Sequence, residues 1–385
     1  MDPRPPCSPI GIPRRAVPLT LSLCPSGGEG IEIASSPSER ERVGVRAGVC
    51  SRIIRAKNPV PRMLLGALAI VLLVSGTKDP TAAQPRKKVV VAVGPSSDMA
   101  LLIVAVKKGF LEKHGVDPQL KVFDSSPQAV QVLVSGQGDV TMNTEPPHLA
   151  ARARGGKVVQ VMTGWISGRN AAAVVAGNLI TRSEDFVGKT IATQRGSGSN
   201  YHLVSFLAKH KIPADKVTIQ YMAAPDQLPA LARNDVQAFF SWEPYVTRAQ
   251  SIPNAKVWSR AEDDGVEFRD NVLMREDFAR GDRDTAIKVV KALVETADWM
   301  RANLRDAARA ANEVLRAQSE EDVYRELQLF TYPGDFRKSV VEHETRIAQW
   351  GSSLGLFQTS DPKKLVEELV YPDLIRAAAP DRTDM

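Results

Sequence analysis

Between residues 88 and 156 the apolar and polar positions follow one another in a regular succession. A β-branched run at 89–93 ends in Gly94-Pro95-Ser96-Ser97-Asp98. An apolar stripe of Leu101, Leu102, Val104 and Ala105 then leads to Lys107-Lys108-Gly109. A short strand at 118–123 precedes a second apolar-periodic helix near 129–134. Gly136 and Gly138 close that helix, and a third strand occupies 139–142. Strand, helix, strand, helix, strand with short connections predicts a parallel α/β sheet. In such sheets ligands collect where strand C-ends meet helix N-ends.

The alternation continues downstream. Strands are expected at 158–163 and 171–176, the second beginning a crossing to another lobe, and again at 190–193, within 215–221 and at 236–241. Helices are expected at 201–210 and 227–233. Segments 257–258 and 271–274 read as strands on a return path. From Asp282 onward the pattern turns helical: Ile287, Val290, Leu293, Val294 and Ala297 fit a 3.6-residue period, as do Val340, Ile347 and Trp350. The tail after Ala379 is expected to fray.

At 385 residues the chain is long enough for two lobes with real cores. Its formal net charge of +6 suggests a nucleic-acid partner, but the distribution removes that reading. Residues 1–83 carry 11 Lys/Arg against 6 Asp/Glu, while the rest holds 39 against 38. No basic stripe is left for a phosphate backbone. Cys7, Cys24 and Cys50 all fall in the first 50 residues, so disulfides and thiol catalysis are excluded beyond them.

Residues 63–77 carry no charge and are too short to span a bilayer comfortably, which suits the apolar core of a signal peptide. Arg52, Arg55, Lys57 and Arg62 precede it, and Thr81-Ala82-Ala83 offers a cleavage site before Gln84. No Cys follows, so no lipoprotein anchor is expected. Residues 1–62 read as a disordered or mis-assigned extension, with a natural start near 43–63, and 63–83 as the signal peptide.

Several loops carry candidate ligand contacts. In 195–200, RGSGSN, glycines permit close backbone approach ahead of a helix whose N-terminal N–H groups favour an anion. Gly196, Ser197, Ser199 and Asn200 are its candidates, and ordinary capping is the competing role. The loop lacks the lysine of a P-loop. Ser96, Ser97 and Asp98 follow the first strand, and Asn143, Thr144 and Glu145 the third, so both loops would open on one sheet edge. Trp165 and Trp242 sit on loops after strands; an indole wall can enclose an apolar or cationic group. Trp165 fits core packing equally well. Glu243 stands beside Trp242, and a carboxylate there suits a ligand amine, amidine or ring N–H. Trp258, Trp299 and Trp350 are assigned to core. The five histidines show no metal spacing, no cofactor is expected, and no G-x-S-x-G elbow is present.

Taken in order, "KKGFLEKHGVD", "LVSGQGDVTMNTE", "AARARGGKVVQV", "DFVGKTIATQRGSGSNYHLVSFLAKHKIPADKVTIQYM" and "LPALARNDVQAFFSWEPY" resemble the substrate-binding proteins of ABC importers for nitrate, sulfonates, taurine and thiamine precursors. The resemblance spans about 88–271. It implies a bilobal periplasmic-binding-protein fold of type II: two α/β lobes with a hinge and a helical C-terminal part. Lobe I would comprise 88–172 plus 265–385, and lobe II 173–264. It further implies a periplasmic, monomeric, non-enzymatic protein that captures a small organic or anionic ligand, contacts no nucleic acid, and delivers the ligand to a membrane permease with its ATPase. Proteins of this kind often place a ligand-facing residue at the Trp242-Glu243-Pro244-Tyr245 turn. With a carboxylate beside an indole there, zwitterionic or heteroaromatic ligands rank above inorganic anions, unless Arg169 or Arg195 offsets the carboxylate. Two alternatives stay open. One is an enzyme like the thiamine-pyrimidine-precursor synthases of the same fold, although the cysteine-rich iron-binding segment they need is absent. The other is a ligand sensor serving a signalling protein.

Overall fold

A computed structural model describes residues 86–315 and 319–385. The uncharged 63–77 run, the cleavage site before Gln84 and all three cysteines lie outside the described residues.

Ten strands form two five-stranded sheets. They are β1 (Lys87–Val93), β2 (Val116–Val122), β3 (Val140–Thr144), β4 (Val158–Ser167), β5 (Ala171–Ala176), β6 (Thr190–Thr193), β7 (Thr218–Tyr221), β8 (Ala238–Trp242), β9 (Ala255–Arg260) and β10 (Phe268–Arg275). The first sheet has the order β2-β1-β3-β10-β4 and the second β7-β6-β8-β5-β9. The inner strands of each are buried on both faces, which explains their near-continuous apolar runs, while the edge strands β2, β7 and β9 are more exposed. In β5, Ala172 and Val174 enter one core while Ala173 and Val175 enter the other.

The parallel arrangement expected from residues 88–156 is found in β2-β1-β3 and is repeated in β7-β6-β8, while one strand in each sheet runs the other way. β10 runs antiparallel to β3 and β4, and β5 antiparallel to β8 and β9. The reason is geometric. β4 ends where the chain leaves the first sheet, so β5 must start at the facing edge of the second sheet and run away from it. β10 does the same on the return.

The two crossings touch. The Glu262 N–H donates to the Gly168 carbonyl at 2.8 Å, and the Ala261 N–H to that of Ala171 at 3.0 Å. A side chain at Gly168 would stand 2.7 Å from Cβ of Glu262 and 2.9 Å from the Val266 carbonyl oxygen, so only glycine permits this approach.

The C-terminal helices cover the first sheet. Along Arg283–Ala302, residues Ala286, Val289, Val290, Leu293, Ala297 and Met300 recur at helical spacing and are buried in its core. The tail does not fray. The Phe336 N–H donates to the Arg382 carbonyl at 2.9 Å, and Arg382 holds Asp298 at 2.8 Å. Sequence alone shows no partner for so short a segment, because it pairs with residues far earlier in the chain, Asp298 being 84 positions away.

Candidate ligand-binding cleft

The C-ends of β1, β2, β3, β6, β7 and β8 turn towards one cleft of about 400 Å³. The first sheet contributes Ser96, Asp98, Ser125, Ser126, Asn143, Thr144, Trp165 and Phe268. The second contributes Asn170, Gln194, Ser197, Gly198, Ser199, Trp242, Tyr245 and Arg248. Ala223, Ala224 and Pro225 complete the wall at the start of the Ala224–Ala232 helix. Four aromatic rings, Trp165, Trp242, Tyr245 and Phe268, are among its lining. Trp165 is 1% exposed, packs 4.6 Å from Phe330, and donates its Nε1–H to the Asp98 carbonyl at 2.9 Å. Trp242 meets Tyr245 edge-on at 6.0 Å.

Not all of the residues singled out in the sequence reach this cleft. Ser96, Asp98, Asn143, Thr144, Trp165, Ser197, Ser199 and Trp242 line it. Ser97, Glu145, Gly196, Asn200 and Glu243 stand outside its lining, each for a local reason. Ser97 points into the core and is 1% exposed. Glu145 turns away, and its Oε1 accepts from Nε2 of His343 at 2.8 Å and from the Arg269 N–H at 2.9 Å. Asn200 caps its own loop by accepting the Gly196 N–H at 3.1 Å, while Gly196 holds a left-handed φ of 70°. Glu243 accepts the Thr247 N–H at 2.9 Å at the start of the Tyr245–Ala249 helix and faces Arg260 at 3.5 Å. Its carboxylate is therefore engaged behind the cleft, and the ligand ranking drawn from it loses its footing. Arg169 pairs with Glu262 at 3.8 Å, and Arg195 stacks over Tyr221 at 5.4 Å.

Ser197 is a helix N-cap. Its hydroxyl donates to the Gln194 carbonyl at 2.7 Å, and its Oγ accepts the Asn200 N–H at 3.4 Å. The backbone N–H groups of Gly198 and Ser199 in the first turn have no partner one turn back, so they remain the cleft's anion-type donors.

Sequence reading missed Tyr245, Arg248 and Phe268. Phe268 opens β10 and packs against Gly198 of the distant 195–200 loop, and only the crossing back to the first sheet brings it there. Tyr245 had a usable signal: it ends the Trp242-Glu243-Pro244-Tyr245 turn after β8 and opens the Tyr245–Ala249 helix.

Two carboxyl groups dominate the electrostatics of the first-sheet side. Burial pushes Asp98 above the usual carboxylate range, against the hydroxyls of Ser96 and Ser126 that donate to it. Asp270 is fully buried, and neither of its oxygens has a partner among the described residues. Burial, and then the nearby Asp98 and Glu145, hold it well above its ordinary value. The native state thus retains a proton that the unfolded chain releases near pH 3.9. Asp270 therefore costs no stability below that pH and costs increasingly as pH rises through the window above it. Asp270→Asn is expected to stabilise the protein at pH 7 by about 1–3 kcal/mol, with the gain fading as pH falls toward 4. Urea unfolding at the two pH values checks this; a gain of equal size at both would contradict it. Among the described residues no group of three or more His, Asp or Glu side chains is placed to hold a metal ion, and no helix is long and apolar enough to cross a membrane.

The chain belongs to the NMT1/THI5 like family, whose profile matches residues 96–307. A Bacillus subtilis (strain 168) protein named an aliphatic sulfonates-binding protein is 22% identical over 252 residues, covering 64% of this chain and 76% of that relative. The taurine-binding periplasmic protein of Escherichia coli (strain K12) is 27% identical over 192 residues, 49% of this chain and 58% of its own length. The alkanesulfonate-binding protein SsuA from Xanthomonas axonopodis pv. citri, solved bound to MOPS, superposes with a TM-score of 0.63 at 19% identity. That match covers 75% of this chain and all of that one. The fold is therefore the bilobal α/β fold of periplasmic binding proteins. It is also shared by the desulfurization enzyme DszB, at a TM-score of 0.60 and 17% identity over 77% of this chain and 99% of that one.

Proposed function

We propose that this chain is the extracytoplasmic solute-binding component of an ABC importer. It would capture a small organic or anionic ligand of the sulfonate, taurine, nitrate or pyrimidine type between its lobes and deliver it to a permease and its ATPase. The carrying observation is a single cleft lined from both sheets, with strand C-ends and helix N-ends converging on it. The names of the relatives support the same class, since both are named as binding proteins and the taurine-binding one as periplasmic. On this reading the protein is exported, works as a monomer, makes and breaks no bond, and its two lobes close about the paired crossings at Gly168.

A thermal-shift screen of sulfonates, taurine, nitrate, aromatic acids and pyrimidines tests it. A true ligand at 100 times its Kd stabilises by about 2.7 kcal/mol. Small-angle scattering of the same complex is expected to show a smaller radius of gyration. Turnover of any of these compounds by the purified protein would move the assignment to an enzyme.

A further inference from the structure

The charges of the cleft are divided between its two sides. The first sheet presents Asp98, and one pleat below Phe268 on the same face of β10 lies Asp270, fully buried with neither oxygen partnered among the described residues. The phenol of Tyr332 is likewise buried and without a partner there, and the Asp98 charge raises its pKa further after burial has done so. An anion entering at this end would meet the Asp98 carboxyl group, while Asp270 is fully buried outside the lining. It would also find no backbone donor at the start of the Glu145–Ala153 helix, which begins Glu-Pro-Pro, so Pro146 and Pro147 offer no N–H. The guanidinium of Arg248 and the N–H groups of Gly198 and Ser199 belong to the opposite lobe. The rings of Trp242 and Tyr245 also line the cleft, and aromatic faces attract a cation held against them.

Building on the solute-binding reading, we infer that Asp98 is the specificity-determining residue of the cleft. It receives the cationic or N–H-bearing head of a small, flat organic ligand, and purely anionic ligands are disfavoured there. A zwitterion fits with its positive end at Asp98 and its negative end toward Gly198 and Ser199. A cationic head supplies Asp98 with a counter-charge, and its N–H groups add charge-assisted bonds to those that Ser96 and Ser126 already donate.

The test compares two probes of similar size and opposite charge, benzamidine and benzenesulfonate, by calorimetric titration of the full-length folded protein. Benzamidine is expected to bind at least about tenfold more tightly. Asp98→Asn is expected to lose about tenfold or more for benzamidine while leaving benzenesulfonate unchanged or tighter. Asp98→Glu, which keeps the charge, should restore the preference and guards against a folding defect in the first variant. Equal or tighter binding of benzenesulfonate, no binding of benzamidine at millimolar concentration, or an unchanged ratio in Asp98→Asn would each overturn the inference. Taurine, an alkanesulfonate and nitrate in the same assay separate the two claims. If one of them binds and benzamidine does not, the donor-head inference fails and the solute-binding reading stands. If none of the five binds, both fail.

Discussion

Replacing Trp165 by alanine is expected to lower stability by about 3–5 kcal/mol, the range for removing a large buried aromatic side chain. Trp165 is 1% exposed, belongs to the main core of the first sheet and packs 4.6 Å from Phe330. Its Nε1–H also donates to the Asp98 carbonyl at 2.9 Å, fixing the loop that carries a cleft carboxylate. Trp165→Phe retains most of the packing and forfeits that bond, so about 1 kcal/mol of its loss should trace to the missing donor. Urea unfolding of the three proteins measures both effects. A loss below about 1 kcal/mol for the alanine variant would show that this ring is a replaceable wall rather than core.

Glu344→Ala is expected to be comparably damaging, at about 3–5 kcal/mol, because it leaves buried polar groups without partners. Glu344 is fully buried in the Ser339–Ser353 helix. One oxygen faces Nε2 of His148 at 3.2 Å, and the other accepts from Nδ2 of Asn271 at 3.0 Å. Oδ1 of Asn271 in turn accepts the Thr163 hydroxyl at 3.0 Å. The chain of bonds ties a C-terminal helix to β10, β4 and the Glu145–Ala153 helix, beneath the loops that frame the cleft. Glu344→Gln keeps an acceptor and should cost markedly less. Equal losses for the two variants would mean that volume, not hydrogen bonding, decides the site.

Much of this arrangement was legible in the chain. The periodicities at 89–93, 101–105 and 158–163 locate strands and a helix because a sheet buried on both faces needs unbroken apolar runs, which sequence displays directly. The loops after those strands follow from the same pattern, which is why Ser96, Asp98, Asn143 and Trp242 were identifiable as cleft residues. What sequence could not show is where a side chain points beyond the end of a strand. Glu243 follows Trp242, so it faces the other way, and the Thr247 N–H four residues on takes up its carboxylate. Glu145 is diverted similarly by His343, almost 200 residues distant. The single antiparallel strand in each sheet was hidden for another reason: direction is set by where the chain crosses between sheets, and no local residue pattern records that.

The central claim is that one ligand is held by both lobes at once. Calorimetric titration of the strongest ligand from the thermal screen tests it most directly, using wild type, Asn143→Ala from the first sheet and Trp242→Ala from the second. The account predicts one ligand per chain and a loss of affinity of about tenfold or more in each variant. Wild-type affinity in both variants, or a loss confined to one of them, would contradict a ligand shared between the two sheets.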